Sequence, residues 1–459
     1  MIILSIPYLS NKFIQKQVEK ARIDWKEFRL DFHRNYKDFP QKFIDSKTII
    51  TFRDATEGGI NQISFNEKIS YYQELILKYN CLVDCEILLY KNQCIPTSNL
   101  VLSYHDFSEN LDIKKLKQII KKSNSIPSKY LKLAVKITKY TQLNLISNLI
   151  QTSNKPVLFA GIGKLGKISR ILYQFISAEE TYIGLEDYPT ANGQITENEA
   201  EKYDLTKVSK NTQIGGIVGG EQVENSLGLI FYNQYFQSNK IDAIYLTFVV
   251  KDFNDFWKWI NTCKFKNKFY GFSITMPFKK KSEFRNQNSK DKKFPVTNLY
   301  LPKSDEVFNT DIIAFKNAIK YLNIKKDEKI LIYGTGAMAE TALISFIDFD
   351  SIYLSGRNIV KGKELTSQYS RTFIHEDSIN QKGFDVIINC TPIGMNNEDF
   401  LKKTKLLLPK KVIDLPYIKK NTLLINYCIE NEIEYVDGEK FWKWQAESQI
   451  EKFIIAIQR

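Results

Sequence analysis

From Ile2 to about residue 190 the chain alternates short apolar runs with longer polar or amphipathic stretches. Eight of the apolar runs have the length and the β-branched content of strands. They are IILSIPY, WKEFRLDF, KTIITFRD, CLVDCEIL, LVLSYHDF, YLKLAVKI, KPVLFAGI and TYIGLED. Helical periodicity lies between them, most clearly in FNEKISYYQELILKY. Eight strands joined by crossover helices predict a (β/α)8 barrel rather than an open sheet. The loops that follow the strands of such a barrel build one active-site face, and polar residues gather at those ends: Glu27, Arg29, Arg53, Glu57, Glu86, His105, Lys132 and Arg170.

A polar stretch, ENEAEKYDLTKVSKNT, closes this pattern, and a second one opens near residue 210 with the strand candidates IGGIVGG, AIYLTFVV and FYGFSITM. A further unit begins at KILIYGTGAMAETALISF, which reads as strand, glycine-rich turn and helix, with Gly334, Gly336 and Ala339 in the dinucleotide-binding spacing. The next strand, SIYLSGRN, ends in Arg357 where an acidic residue would meet a free ribose hydroxyl. An arginine there predicts a 2′-phosphate, hence NADP over NAD, unless it is merely solvated.

Composition narrows the classes. A chain of 459 residues exceeds what one core usually organises, so two or three domains are expected. The net charge of +13 is spread over lysines along the whole length, without an arginine-rich arm or an interleaved aromatic stripe. Such a field suits small anionic substrates better than nucleic acid. The six cysteines show no CxxC spacing and lie mostly in apolar runs, so reduced thiols are expected, with neither disulfides nor a metal site. Ile2–Leu9 reads as a first strand and not as a signal peptide, and no apolar run reaches the roughly 20 residues a spanning helix needs. A soluble, cytoplasmic protein without a membrane partner follows. Oligomeric state is not legible.

Two lysines carry candidate chemistry. Lys132 lies among Leu131, Leu133, Ala134 and Val135, where desolvation would free an amine for Schiff-base formation, although Lys136 and Lys139 follow closely and composition alone does not choose among them. His105, at a strand end in SYHDF, reads as a general base near neutral pH or as a satisfied structural group. Gly161, Gly163 and Gly166 also spell GxGxxG, with Glu186 about where a ribose-binding acid would lie. Their place after the seventh strand of a barrel points instead to an anion site shared with Arg170. In the second half Lys279 follows a strand and a proline in GFSITMPFKK, and Asp311 falls at a later junction in FNTD. Such a pair can relay a proton to a carbonyl oxygen while hydride arrives from a nicotinamide. The run KKKSEFRNQNSKDKK reads as a solvated loop, so charge alone does not select Lys279.

The motifs EFRLD, TFRDATEGG, SYHDF, YLKLA, the GxxGxxSR run and NGQ, in order over residues 2 to about 200, resemble type I 3-dehydroquinate dehydratase. The resemblance implies Lys132 as the Schiff-base lysine, His105 as the acid/base residue and Glu57 as its holder. It also implies Glu27, Arg29 and Arg53 at the substrate hydroxyls, with Arg170 and Gln194 on the carboxylate side. Ile162 stands where that family usually has methionine, and Asn192 where it usually has proline.

From about residue 213 onward, NSLGLIFYN, GFSITMPFK, the Asn298 region, NTD, GTGAMA, INCTPIGM, DLPY and DGEKFWKWQA resemble shikimate dehydrogenase. By position the resemblance implies Lys279 and Asp311 as the catalytic pair, with Ser226, Thr275, Asn298, Tyr417 and Gln445 lining the substrate pocket. Gly334, Gly336, Ala337 and Ala339 would carry the pyrophosphate of NADP, Arg357 its 2′-phosphate, and Gly394 and Met395 would border the nicotinamide. Gly228 replaces a serine of the family's SxSP run, Tyr232 a frequent histidine and Ser273 a common asparagine. Gly356 and Asn358 flank Arg357 where Asn and Thr are usual. The expected division is a barrel at 1–210, a substrate-binding domain at 211–315 completed by a C-terminal helix at 425–459, and a Rossmann-like NADP domain at 316–424. Together these imply a bifunctional enzyme acting on 3-dehydroquinate and 3-dehydroshikimate. The rivals are a second half of altered specificity or lost activity, and a degenerate binding protein for a polyanion.

Overall fold

A computed structural model of the chain describes residues 2–459 except 92–93, 281–294, 382, 408 and 418–419. It divides into two compact units, Met1–Ile214 with Glu224–Phe269, and Gly215–Val223 with Tyr270–Arg459. No helix among the described residues is long and apolar enough to cross a membrane.

In the first unit all eight expected runs form strands: β1 (Ile2–Pro7), β2 (Trp25–Arg29), β3 (Thr48–Thr51), β4 (Leu82–Glu86), β5 (Leu100–Asp106), β6 (Tyr130–Lys136), β7 (Val157–Ile162) and β8 (Thr181–Gly184). With a two-residue β9 (Ile195–Thr196) they lie in the order β7-β6-β5-β4-β3-β2-β1-β8-β9. Every ladder is parallel, and a parallel bridge between Leu158 and Glu180 brings β7 to the entry of β8, closing the ring. Helices α1 (Asn11–Lys20), α2 (Phe65–Tyr79), α3 (Ile113–Ser125), α4 (Thr141–Ile150), α5 (Gly166–Ile171) and α6 (Glu197–Lys202) form its shell. Two of the expected crossover helices are replaced by short 3-10 turns, at Leu30–Phe32, Tyr36–Asp38 and Gln41–Phe43 between β2 and β3, and at Thr97–Asn99 between β4 and β5. Pro40 and Pro96 open the last turn of each connection, where a missing N–H and a fixed φ oppose a continuous helix.

Side chains alternate across a strand, so every second residue points into the barrel. Ile3, Ile49, Leu82, Val101, Leu158 and Tyr182 pack together as an apolar floor. Two residues further along the same strands lie Ser5, Thr51, Asp84, Ser103 and Ala160, so the barrel turns from apolar to polar within one pleat. The outward residues Leu131, Leu133 and Val135 of β6 are buried under the helices, which makes the apolar setting read around Lys132 a property of its outward neighbours.

The chain continues through β10 (Gln213–Gly219), α7 (Leu227–Ser238), β11 (Ala243–Val249) and α8 (Phe253–Thr262). Helix α8 packs on α4, and the joint is specific. Tyr140, the residue preceding α4, supplies no capping side chain. Asp255 of α8 does so instead, accepting from the backbone N–H groups of Tyr140 and Thr141 and from the Thr141 hydroxyl. The Tyr140 ring stacks obliquely on Trp259 and its hydroxyl donates to the Val249 carbonyl. A carboxylate at a helix N-terminus both satisfies orphan donors and meets the positive end of the helix dipole. Asp255→Ala is therefore expected to lower the stability of the barrel by about 1–2 kcal/mol. Urea denaturation followed by loss of the barrel's activity reads this out, and an unchanged midpoint would show that the cap contributes nothing.

In the second unit β10, β12 (Phe269–Ile274), β13 (Leu299–Leu301) and β14 (Glu306–Phe308) lie side by side in that order, with the last two ladders antiparallel. After α9 (Asp311–Tyr321) a second sheet is built from β15 (Lys329–Tyr333), β16 (Ser351–Ser355), β17 (Thr372–Phe373), β18 (Val386–Asn389), β19 (Lys411–Asp414) and β20 (Glu434–Val436), with α10 (Ala337–Ser345), α11 (Ile359–Gln368), α12 (Phe400–Thr404) and α13 (Leu423–Glu430) between them. Its strands are all parallel in the order β17-β16-β15-β18-β19-β20. That is the 3-2-1-4-5-6 order of dinucleotide-binding sheets, whose ligand crevice lies where the order reverses, between β15 and β18. Both faces are covered: Ile330 and Ile332 enter one core with Phe315 and Leu343, Leu331 and Tyr333 another with Phe400 and Leu424.

The last helix, α14 (Gly438–Gln458), begins later than the expected 425, because α13 and β20 occupy that stretch as part of the six-stranded sheet. Asp437 caps it by accepting from the Lys440 N–H. Phe441 packs into the core of the six-stranded sheet and Phe453 against Tyr270 of β12, so this one helix joins both sheets of the unit.

Two candidate active sites

The barrel interior holds a dense ionic network. Lys132 Nζ lies 2.6 Å from Glu27 Oε1 and 3.2 Å from Asp84 Oδ2. Arg53 donates to Asp84 at 2.7 Å, Glu86 at 3.1 Å and the Ser103 hydroxyl at 2.6 Å. Lys68 of α2 completes Glu86 at 2.5 Å, and Arg29 forms a two-pronged pair with Asp31. Burial alone would raise Glu27 and Asp84, but the Lys132 and Arg29 cations outweigh it at Glu27, and Arg53 with Lys132 does so at Asp84; both stay below the usual carboxylate range. Five buried cations, Arg29, Arg53, Lys68, Lys132 and Arg170, thus face five buried acids, Glu27, Asp31, Glu57, Asp84 and Glu86.

His105 sits above this layer, its Nδ1 2.9 Å from Glu57 Oε2, which also accepts the His105 backbone N–H at 3.0 Å. Burial, with Arg53 and Lys132 nearby, holds the imidazole well below its usual pKa, so it is neutral at pH 7. Burial pushes the Glu57 carboxyl up to about 8 against the pull of Arg53. The pair is therefore held close to charge neutrality.

Arg170 of α5 is fully buried, and its described hydrogen bonds go to two carbonyls, of Gly161 and Tyr182. Burial lowers its pKa to about 10. A buried guanidinium held by carbonyls alone is suited to an incoming anion. Gln194 closes over the same side, donating to the Ile183 carbonyl and accepting from Thr190, whose own carbonyl meets Arg29 at 3.4 Å. The loop is fixed at Gly193, where φ is +76° and an added Cβ would fall 2.2 Å from the Gly163 carbonyl oxygen. The Asn192 carbonyl accepts from the Gly163 N–H, so main chain positions this turn.

The second unit brings Lys279 and Asp311 together. Lys279 Nζ lies 2.6 Å from Asp311 Oδ2 and 3.2 Å from Met338 Sδ. Asp311 opens α9, with its N–H held by Asn309. Asn298 accepts from the Thr310 N–H at 2.8 Å and donates to the Gln445 side chain at 3.3 Å, and Gln449 one turn on bonds Gln445, Thr310 and Ser273. Thr275 follows β12, tied by its N–H to Val218. Tyr417 is partly buried, and burial raises its phenol. Ser226, in the first unit, caps α7 by accepting from the Gly228 N–H. A side chain at Gly228 would begin 3.1 Å from the Tyr232 ring, so a serine there would need the tyrosine to give way by a few tenths of an ångström. The basic run expected to be a loop spans residues 279–293, and from 281 onward it lies outside the described residues.

The glycine-rich turn follows β15. Gly334 has φ +133° and lies against the Cys390 carbonyl, at the point of strand reversal. Gly336 precedes α10 and offers no capping side chain, and nothing lies within 4 Å of where its Cβ would be. The first turn of α10, with Ala337 and Ala339, therefore presents open N–H groups, which is what a pyrophosphate requires. Arg357, just past β16, is exposed. Gly394 and Met395 follow β18, with the Gly394 N–H held by Glu398. These residues fit a dinucleotide.

Asp84, Asp31, Thr190, Gln449 and Thr310 were not singled out in the sequence. For Asp84 the available signal was an acid inside the apolar strand CLVDCEIL, since a buried charge demands a partner.

A family model described as type I 3-dehydroquinase matches residues 4–207, and one described as shikimate dehydrogenase substrate binding domain matches residues 218–283. Shikimate dehydrogenase (NADP(+)) of Clostridium botulinum strain Hall is 30% identical over 246 residues, covering 50% of this chain and 93% of that protein. The Pyrococcus furiosus protein of the same description is 29% identical over 259 residues, covering 52% and 93%. Among solved structures, the dehydroquinate dehydratase and shikimate dehydrogenase from S. pombe aligns over 100% of this chain and 97% of that one at 16% identity, with a TM-score of 0.40 that supports nothing further.

Proposed function

Because the chain belongs to the shikimate dehydrogenase family in its second half and carries a type I 3-dehydroquinase domain in its first, we propose a two-reaction enzyme of the shikimate pathway. It dehydrates 3-dehydroquinate to 3-dehydroshikimate and reduces that product with NADPH to shikimate. The observation that carries the reading is the presence in one chain of two lysines in unlike settings, Lys132 buried among carboxylates and Lys279 partly buried against Asp311.

In the first reaction the Lys132 nitrogen adds to the C3 carbonyl, and the resulting protonated imine acidifies the C2 hydrogen. Neutral His105 takes that proton and returns it to the departing C1 hydroxyl. Arg170 and Gln194 hold the carboxylate, the guanidinium meeting its negative charge. Glu27, Arg29 and Arg53 meet the hydroxyls. As pH rises through about 8, Glu57 becomes an anion able to accept from His105 Nδ1–H, which frees Nε2 as the base. Dehydration kcat/KM is therefore expected to climb on a limb near pH 8, and this limb should vanish in Glu57→Gln. A parental profile flat from pH 6 to 9 would refute the assignment.

In the second reaction bound NADPH supplies the hydride. Lys279 gives a proton to the carbonyl oxygen and Asp311 holds Lys279 as an ammonium. Ser226, Thr275, Asn298, Tyr417 and Gln445 bind the substrate, α10 the pyrophosphate and Arg357 the 2′-phosphate. The proposal keeps domain limits of 1–210, 211–315 with a C-terminal helix, and 316–424, and places the enzyme in the cytoplasm. Incubation with 3-dehydroquinate and NADPH tests the whole: enone absorbance must rise and NADPH must then be consumed.

A second reading, altered specificity in the reductase half, is favoured by Gly228 and by the Tyr232 ring beside it. Rates with shikimate and quinate, each with NADP and NAD, decide between them.

A further inference from the structure

Tyr182 of β8 stands on the barrel floor with its ring face beneath the reactive lysine: Lys132 Nζ lies 4.1 Å from the ring centroid. Both side chains are buried. The Tyr182 hydroxyl is also buried, with no hydrogen-bond partner among the described residues. Its phenol group is therefore not held there by a polar contact, and what it offers Lys132 is the negative face of the ring.

We propose that Tyr182 is a positioning residue for the covalent chemistry at Lys132, its ring face supporting the nitrogen cation through imine formation. The inference rests on the reading of Lys132 as the Schiff-base lysine. In that step an ammonium and a ketone become a protonated imine and water: the C–N bond forms, and the C–O bond breaks. The nitrogen gives two of its three protons to the leaving oxygen and keeps one. The ammonium can donate at once to Glu27 and Asp84, which lie 2.6 and 3.2 Å away. The imine nitrogen has a single N–H and must release one of them. Attraction to a ring face depends on the cation and not on its number of protons, so it survives this exchange. The ring is also no base, so unlike a carboxylate it cannot strip the proton that keeps the imine an electron sink.

Three variants of the full chain test this: Tyr182→Phe, which keeps the face and removes the hydroxyl; Tyr182→Leu, which removes the face; and Leu158→Ala, which loosens the same floor but keeps the tyrosine. Dehydration kcat and KM are measured, together with the fraction of chain carrying a borohydride-trapped adduct at Lys132 after mixing with 3-dehydroquinate. Reduction of 3-dehydroshikimate by the same chain reports folding. Tyr182→Phe is expected to stay within about twofold of the parent, while Tyr182→Leu loses about tenfold in kcat and in trapped adduct, with KM little changed. Leu158→Ala should retain the adduct. Equal kcat in Tyr182→Leu and the parent overturns the proposal, as does equal damage in the Phe and Leu variants or in Leu158→Ala. Absence of any adduct in the parent removes the Lys132 reading itself, a separate outcome.

Discussion

A Lys132→Met chain is expected to dehydrate 3-dehydroquinate at least about a thousandfold more slowly than the parent while still reducing 3-dehydroshikimate. Methionine fills a similar volume but can form no imine, so both the electron sink and its cation disappear. The change also leaves Glu27 and Asp84 buried without the ammonium between them. Removing one partner of a buried ion pair costs roughly 3–5 kcal/mol. Here the cost should fall at the low end, since Arg53 still holds Asp84, and Ser5 and Thr51 still donate to Glu27. Enone absorbance, mass analysis after borohydride treatment and a thermal melt separate the two effects. If the variant kept a tenth of the parental rate, covalent catalysis at Lys132 would be excluded.

The second large effect belongs to the other lysine. Lys279→Met and Asp311→Asn are each expected to lower kcat for reduction of 3-dehydroshikimate by about 10²–10⁴-fold, with KM for NADPH and the dehydration rate unchanged. The asparagine keeps the shape of the aspartate but not its charge, leaving Lys279 with the Met338 thioether, a weak acceptor. Both variants should still bind NADPH, as judged by fluorescence quenching. An Asp311→Asn enzyme of parental kcat would leave the ion pair without a catalytic part.

The barrel was legible because its signal is local. Each of the eight is a short apolar run of strand length, and most of the polar site residues stand at or just past the strand ends. Connections were less so: residues 30–47 contain enough apolar positions to suggest a helix, and only Pro40 marks the break. Distance in sequence hid the site's internal order. Glu27 lies 105 positions from Lys132, and nothing in EFRLD says which lysine it will meet. The floor under Lys132 was hidden too, since TYIGLED reads as a strand without revealing which of its residues faces inward. The family motifs carried Lys279, Asp311 and Asn298, whereas Gln449, one turn past Gln445, became visible only once α14 was laid along β12 and β13.

Asp255 sets a timing on synthesis. The residue that finishes the N-terminus of α4 lies 115 positions downstream of Tyr140. At roughly 5–20 residues per second, a ribosome needs on the order of 6 to 23 s to make that stretch. During this interval every strand of the barrel has been made while the first turn of α4 still exposes its N–H groups. Emergence of α8 supplies the acceptor, so a unit whose strands are already made is finished by a helix made later, and a chain cut before α8 would carry that open helix end permanently.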